Sequence, residues 1–146
     1  MKLNIGCGID VRIGWVNLDA VNLPGVDVVH DLDTIPWPFD SCCFEEVDAF
    51  DVFEHVSDPL GFVAELHRVL APGGMALIHT THWRSPNAWT DPTHRRTATE
   101  RTFDYWIPGT ELHRRYGVAY TRGCHFQKID VRMDGTELAF TLRKVA

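Results

Sequence analysis

The sequence predicts an α/β fold with a mainly parallel sheet and an antiparallel pair of strands at its C-terminus. Short apolar runs alternate with loops and one amphipathic helix, as expected when parallel strands are joined by crossovers. The first of these runs closes on a glycine turn, which is typical of a buried strand end. Two alternating runs flank Asp134-Gly135, a dipeptide that favours a tight hairpin.

The first five strands are predicted from apolar and β-branched runs. They lie at residues 2–5, 15–19, 26–30, 47–53 and 75–80. The first two connections, residues 9–14 and 20–25, have six residues each, whereas a parallel crossover usually needs about a dozen. Either these crossovers are reduced to loops, or strands two and three are short and irregular. The predicted fold therefore has reduced helices between its first four strands.

The clearest helix is predicted to begin near residue 58. Ser57 or Asp58 can cap it, Pro59 suits its first turn, and apolar residues follow at helical spacing up to Leu70. The glycines after Pro72 predict its end. A long loop is expected over residues 81–98, a short helix over 99–106, and the hairpin strands at 126–133 and 137–143.

Composition predicts one folded, cytoplasmic domain spanning residues 1–146. Hydrophobic residues make up 45% of the chain, which argues against disorder. No apolar run has the ~18 residues needed to span a membrane, and no signal peptide is recognisable. The four cysteines lack the spacing of a disulfide framework, which favours a reducing compartment.

The net charge of −6 is unevenly distributed. Residues 1–66 hold 13 acidic and two basic side chains, whereas residues 67–146 hold seven acidic and 12 basic ones, so the parts carry −11 and +5. An acidic part suits a cationic or hydroxyl-rich ligand, and an arginine-rich part suits an anion. Mutual neutralisation of the two parts within one fold is the alternative. Nucleic acid is a weak candidate partner, because the chain has no basic run.

Polar or glycine residues follow each of the first four predicted strands. These are the Gly6-Cys7-Gly8 turn, Asp19, Asp31 and the segment from Asp51 to His55. Open α/β sheets bind their ligands at the carboxyl ends of the strands. The four positions together therefore predict one ligand site at this edge of the sheet, in which Asp19 could accept both hydroxyls of a ribose.

Five segments resemble motifs of the class I S-adenosylmethionine (SAM)-dependent methyltransferases. They are residues 4–8 (motif I), 15–19 (the strand-two motif with its ribose-binding acid), 31–40 (the adenine pocket), 53–56 (beside the methionine moiety) and 66–74 (the helix-to-strand-five signature). The match runs in order over about residues 2–106. It implies a Rossmann-like methyltransferase sheet, with SAM as cofactor and S-adenosylhomocysteine (SAH) as product.

The resemblance also assigns cofactor contacts. Gly6, Cys7 and Gly8 would touch the cofactor, Asp19 would bind its ribose, Asp31 and Leu32 would bind its adenine, and Phe50, Asp51 and His55 would lie near its methionine end.

The loop after strand five is the predicted acceptor wall. His82 or His94 could be the general base, since an unperturbed histidine has a pKa of ~6.5. Acceptor contacts are predicted for Arg84, Arg95 and Arg96, which could hold an anion, and for Trp89, which could stack on a ring. The expected acceptor is therefore a small or nucleotide-like, anionic molecule.

Two other functions remain open at this point. The chain could be a SAM-binding subunit that is inactive or needs a partner, either a second copy or another protein, because reduced helices would leave one face of the sheet thinly covered. It could instead be a metal-dependent hydrolase built on His82, Asp91, His94, His113 and His125. No pair among these has tight metal-ligand spacing, and methyl transfer from a sulfonium needs no Lewis acid, so no metal site is predicted.

Overall fold

A seven-stranded mixed sheet organises the chain, which the computed structural model describes over residues 1–145. Its strands are β1 (Lys2–Ile5), β2 (Val16–Asp19), β3 (Val28–Val29), β4 (Phe44–Phe50), β5 (Leu70–Thr81), β6 (Phe126–Asp134) and β7 (Glu137–Lys144). Their order across the sheet is β3-β2-β1-β4-β5-β7-β6. The first five strands pair in parallel, whereas β7 is antiparallel to both β5 and β6. The predicted α/β sheet with its C-terminal hairpin is confirmed.

Three α-helices accompany the strands in residues 1–145. They are α1 (Pro59–Val69), α2 (Asn87–Thr90) and α3 (Glu111–Tyr120). All three follow β4, so the first four strands are joined by loops, as the short connections predicted. Asp58, one of the two predicted caps, accepts hydrogen bonds from the N–H groups of Leu60 and Gly61 and so begins α1. None of these helices is long and apolar enough to cross a membrane.

Several element boundaries differ from the sequence-based prediction. β4 covers Phe44–Phe50 rather than 47–53, because Asp51 takes a φ of +54° and bends the chain out of the strand. β3 shrinks to Val28–Val29, β5 begins at Leu70, and the helix expected over 99–106 is only a 3₁₀ turn at Asp104–Trp106. α3 was not predicted, because charged and polar residues fill its first half and Gly117 is its only buried residue.

The two faces of the sheet are covered in different ways. Phe62 and Leu66 of α1 are buried in the main apolar core with residues of β1 and β4. Asp48, which points to the opposite face, is paired with the guanidinium of Arg12. That guanidinium also lies over the rings of Trp15 and Phe50, at 4.9 and 5.1 Å from their centroids. Arg12 thus covers part of the face opposite α1.

The proline-rich segment after β3 is attached to α1 through Glu65. The Glu65 carboxylate accepts from the N–H of Trp37 at 2.6 Å and pairs with Arg68 at 2.8 Å. Arg68 in turn donates to the carbonyls of Trp37 and Phe39, and the Trp37 indole N–H donates to the carbonyl of Leu32 at 3.1 Å. This network fixes Leu32, one of the predicted adenine contacts, to the body of the fold.

Replacing Glu65 with alanine should destabilise the protein by about 3 kcal/mol, because it removes a partly buried ion pair and leaves the buried Trp37 N–H without its acceptor. Urea unfolding measures this loss. The exposed Glu111, paired with Arg115 at 3.1 Å, is the control, and Glu111→Ala should cost less than ~1 kcal/mol. Equal losses for both variants would show that the Glu65 network does not stabilise the fold.

The contribution of Glu65 should also depend on pH. Burial opposes ionisation of Glu65, but the hydrogen bonds from Arg68 and Trp37 outweigh it and hold the pKa of the carboxyl below its ordinary value of ~4.3. A carboxyl group with a lower pKa in the folded than in the unfolded state stabilises the folded protein at pH values above its unfolded-state pKa. This stabilisation is lost as the pH falls through the folded-state pKa. The stability difference between wild type and Glu65→Ala should therefore shrink in acid below about pH 4.

Candidate functional site

The chain makes its first tight turn at Gly6, directly after β1. Its φ of +63° is favourable for glycine and strained for other residues. A Cβ atom at this position would lie 2.3 Å from Cγ2 of Val52, far inside contact distance. The N–H of Cys7 donates to the carbonyl of Leu18 at 3.0 Å and holds the turn against β2. The backbone thus passes Val52 with no space for a side chain.

A cavity of about 300 Å³ opens where the first four strands end. Six of the predicted cofactor contacts line it, namely Gly6, Asp19, Asp31, Leu32, Asp51 and His55. Six further residues of the lining were not predicted from the sequence, namely Leu18, Ala20, His30, Asp33, Val52 and Val56. Each of these six directly precedes or follows a predicted contact in the chain, or lies two positions from one. They could therefore have been predicted by extending each strand-end motif to its sequence neighbours.

Three predicted cofactor contacts, Cys7, Gly8 and Phe50, lie outside this lining. Cys7 is buried beside Leu18, and burial, together with the negative charge of Asp19, raises the pKa of its thiol. Gly8 acts through its N–H, which donates to Asp19 at 2.8 Å. Phe50 points to the opposite face of the sheet, where it stacks on His79 with ring centroids 5.3 Å apart.

Asp19 is the carboxylate at the end of β2, and both of its oxygens are held. Oδ2 accepts from the N–H of Gly8 at 2.8 Å, and Oδ1 accepts from the N–H of Val21 at 2.9 Å. These bonds fix the orientation of the carboxylate beside the cavity. Each oxygen keeps a second lone pair that can accept a hydrogen bond from a ligand hydroxyl.

The segment after β3 forms another wall of the first cavity. Asp33 accepts from the N–H of Ser57 at 2.6 Å, which links this wall to the residues preceding α1. Burial alone would raise the pKa of Asp33, but hydrogen bonds from Ser57 and Asp58 and the positive charge of Arg95 lower it. Asp33 is therefore ionised at neutral pH and adds negative charge to this wall.

A second cavity of about 540 Å³ adjoins the first. Asp51 and His55 line both cavities, so a ligand in one would meet a ligand in the other at these two side chains. Asp51 is held at this junction with a φ of +54°, and its N–H donates to the carbonyl of His79 at 2.9 Å. Non-glycine residues rarely adopt this conformation, and such strain is concentrated at functional sites.

The two predicted bases lie in different places. His94 lines the second cavity together with Asp91 and Glu54. His82 is buried behind the loop, where its Nδ1 accepts from the N–H of Arg84 at 3.3 Å, and it lines neither cavity. A base has to reach the acceptor, and of the two histidines only His94 faces one of these cavities.

The predicted acceptor contacts also lie outside both cavities. Arg84 stacks on the ring of Trp83 at 5.0 Å, and Trp89 is 71% exposed while its indole N–H donates to the carbonyl of Trp83. Arg96 donates to the carbonyl of Phe53 at 2.7 Å and lies over its ring. Arg95 is exposed and donates its backbone N–H to the carbonyl of Glu54. The Arg84 guanidinium thus contacts an aromatic ring, and the Arg96 guanidinium contacts a ring and a backbone carbonyl, rather than a wall of either cavity.

The lining of the second cavity is acidic rather than basic. Asp51, Glu54, Asp91 and Glu137 contribute carboxylates, and no lysine or arginine of the described chain lines this cavity. Burial and the neighbouring charge of Asp51 raise the pKa of Glu137. The three loop arginines therefore give no direct support to an anionic acceptor.

The five groups of the hydrolase hypothesis do not converge. His113 and His125 pack together at the C-terminal end of the chain, in a separate cavity, with ring centroids 5.2 Å apart. His82 lines neither this cavity nor the first two. Of the five groups, only Asp91 and His94 line the second cavity. A hydrolytic centre made of all five is excluded by this arrangement.

Comparison with known proteins identifies the family. Residues 7–78 match the model of the methyltransferase domain family. A probable SAM-dependent methyltransferase of Mycolicibacterium smegmatis is 35% identical over 136 residues, an alignment that covers 88% of this chain and 51% of the relative. The chain thus spans about half the length of the curated relative it matches.

Solved structures show the same fold at low sequence identity. A SAM-dependent methyltransferase of Thermotoga maritima superposes with a TM-score of 0.71 at 16% identity, covering 98% of this chain and 81% of the other. The 1,6-didemethyltoxoflavin-N1-methyltransferase of Burkholderia thailandensis, solved with its substrate and SAH, gives 0.67 at 17% identity, covering 99% and 71%. Together with the strand order, these matches show that the chain belongs to the class I SAM-dependent methyltransferases, with their Rossmann-like fold.

Proposed function

We propose that this chain transfers a methyl group from SAM, held in the first cavity, to a small acceptor held in the second. The observation that carries this proposal is the junction of the two cavities at Asp51 and His55. A methyl donor and an acceptor have to lie in contact for the transfer, because effective concentration and alignment supply much of the rate. Two adjoining cavities that share side chains meet this requirement.

In this proposal the cofactor follows the order of the strands. Asp19 accepts hydrogen bonds from both ribose hydroxyls, and the adenine lies against Asp31 and Leu32. The methionine end passes Gly6 and brings the sulfonium and ammonium groups toward Asp51. Carboxylates along this path favour a cationic ligand, which accounts for the acidic character of the N-terminal part of the chain.

The chemistry at the junction is an in-line displacement. A lone pair of the acceptor forms a bond to the methyl carbon while the carbon–sulfur bond breaks and its electron pair returns to sulfur. The products are SAH and the methylated acceptor, and a proton carried by the acceptor atom leaves to a base or to water. The protein has to align the three reacting atoms and exclude water. His94 lines the second cavity and His82 lines neither, which supports His94 as the base in this proposal.

Calorimetric titration with SAH tests the cofactor site without any knowledge of the acceptor. One SAH should bind per chain, and SAM should compete with it. Adenosine should bind more weakly than SAH, because it leaves the end near Asp51 and His55 empty. NAD⁺ is the control nucleotide and should not displace SAH. A chain that does not bind SAH would refute the proposed function.

A second candidate is a methyltransferase subunit that needs a partner chain. It is favoured by the loop between β1 and β2, where Ile9 and Ile13 are fully exposed and Val11 is partly exposed. Apolar side chains grouped in this way are typical of interaction surfaces. Light scattering on the purified chain distinguishes a second copy from a different partner, because only self-association raises the mass with concentration. A monomer that binds SAH and transfers methyl groups unaided would exclude this candidate.

A further inference from the structure

We infer that the second cavity binds a divalent transition-metal ion through Glu54, His55 and His94. The inference rests on the proposed function, since it concerns how the acceptor cavity works. One ligand atom from each residue, a carboxylate oxygen and two ring nitrogens, lies within 4.8 Å of the others. Ligand atoms around one ion at ~2.0–2.2 Å are separated by up to about 4 Å, so the ion would draw the three together by small side-chain movements.

Glu54 is the first observation in favour of a cation. It is only 1% exposed, and its two carboxylate oxygens accept from the hydroxyls of Thr80 at 2.8 Å and Thr81 at 3.2 Å. No lysine, arginine or histidine of residues 1–145 forms an ion pair with it. Buried charges are normally paired or coordinate metals. A cation in the cavity supplies the missing partner.

His94 is the second and independent observation. Its side chain is 9% exposed, and its Nδ1 is buried without a hydrogen-bond partner. An orphaned ring nitrogen of this kind is costly, because the desolvation of the polar atom is not compensated. Its Nε2 lies 3.7 Å from Asp91. A metal-binding histidine commonly has a carboxylate near its other nitrogen, which orients the ring.

His55 is the third proposed ligand, and Thr93 and Asp91, close to His94 in the chain, fix the orientation of its ring. Its Nδ1 lies 3.0 Å from the hydroxyl of Thr93, which in turn hydrogen-bonds to Asp91 at 2.6 Å. The rings of His55 and His94 meet edge to face, with centroids 4.8 Å apart. Asp91 and Thr93 thus orient both imidazoles, which is the arrangement of an outer coordination shell.

The donor set indicates which ion fits. Two imidazole nitrogens and one carboxylate suit Zn²⁺, Co²⁺ or Fe²⁺, whereas Mg²⁺ and Ca²⁺ prefer oxygen ligands throughout. Three protein ligands leave a position open for a donor atom of the acceptor. An anionic oxygen could therefore bind in a cavity whose other walls are acidic. Lewis-acid polarisation at the ion would lower the pKa of a bound hydroxyl, and His94 would serve as a ligand rather than as the base.

Binding of Co²⁺, a spectroscopic substitute for Zn²⁺, tests this inference on the chelator-dialysed full chain. We expect one ion per chain, with visible absorption bands and no thiolate charge-transfer band in the near ultraviolet. His94→Ala should weaken the binding by at least tenfold, and Glu54→Gln, which keeps the shape of the side chain, should do the same. His113→Ala is the matched control, because His113 and His125 form a histidine pair whose cavity has no carboxylate in its lining. This variant should bind Co²⁺ as wild type does.

SAH binding, measured on the same samples, distinguishes failure of the proposed metal site from failure of the proposed function. His94 does not line the first cavity, so SAH affinity should stay within about twofold in His94→Ala. Wild-type protein that binds SAH but no Co²⁺ overturns the metal site alone. A thiolate band, or Co²⁺ affinity that ignores His94→Ala and Glu54→Gln, also overturns it by placing the ion elsewhere. Protein that binds Co²⁺ in the expected way but not SAH refutes the proposed function instead.

Discussion

Replacing Gly6 with alanine should abolish SAH binding while leaving the secondary structure in place. The new Cβ would lie 2.3 Å from Cγ2 of Val52, and the φ of +63° would add backbone strain. Relief of this clash has to move the turn or the Val52 segment, and both line the first cavity. We expect at least a hundredfold loss of affinity, equivalent to about 2.7 kcal/mol. Calorimetry measures the affinity, and circular dichroism checks the fold.

Two further variants identify the cause of this loss. Val52→Ala removes the clashing methyl group and leaves Cβ at 3.6 Å, an ordinary contact, so adding it to Gly6→Ala should restore part of the binding. Gly8→Ala adds a side chain at a similar φ of +50° with no atom within 4 Å, so it tests strain without a clash. It should bind SAH much better than Gly6→Ala. If Gly8→Ala is equally damaging, and Val52→Ala rescues nothing, the clash is not the cause.

The strand-end part of the site could be predicted because it follows from local sequence. Gly6, Asp19 and Asp31 each lie just after a short apolar run, and parallel strands bring such ends to one edge of the sheet. Asp51 and His55 follow from the same rule at the end of β4. Phe50 lies apart from this cavity for a related reason. The strand ends one residue before Asp51, so the alternation of side chains directs Phe50 to the opposite face.

The acceptor side could not be predicted, because its side chains are placed by tertiary contacts. Arg96 is drawn to the carbonyl of Phe53, 43 positions earlier in the chain, and His82 is buried where the loop bridges to Ala98. Sequence position gives no indication of either. The same holds for Glu54, which looked like part of a cofactor motif. The hydroxyls of Thr80 and Thr81 hold it facing the second cavity.

The two longer helices differ in the same way in how far local sequence predicts them. Helix α1 could be predicted from its cap at Asp58, Pro59 and an apolar stripe. Helix α3 has a weaker local signal, since only Gly117 is buried and charged or polar residues (Glu111, His113, Arg114 and Arg115) fill its first half. Its one local signal is Thr110, whose side chain accepts from the N–H of His113 as an N-cap. A single cap before a short, partly charged segment is weak evidence for a helix. Helix α3 could therefore be recognised only in the three-dimensional structure.

Replacing Asp19 with alanine should weaken SAH binding by roughly tenfold or more. Charge-assisted hydrogen bonds from two ribose hydroxyls are worth ~1.5–3 kcal/mol together, and alanine removes both acceptors. It also frees the N–H groups of Gly8 and Val21, which the carboxylate now holds. Asp19→Asn keeps one oxygen acceptor and loses the charge, so its affinity should lie between those of wild type and Asp19→Ala. Titration with SAH gives all three affinities.

Asp27 provides the matched control for Asp19. Like Asp19, it is a carboxylate that accepts from a backbone N–H of a neighbouring segment. It lies just before β3 and accepts from the backbone N–H of Asn17 at 2.7 Å and from the Asn17 side chain at 3.1 Å. It does not line the first cavity. Asp27→Ala should therefore lower the thermal stability of the β2–β3 region without a comparable loss of SAH affinity. If Asp27→Ala weakens SAH as much as Asp19→Ala does, the effect comes from loosening of the loops. The ribose would then have to bind elsewhere in the cavity.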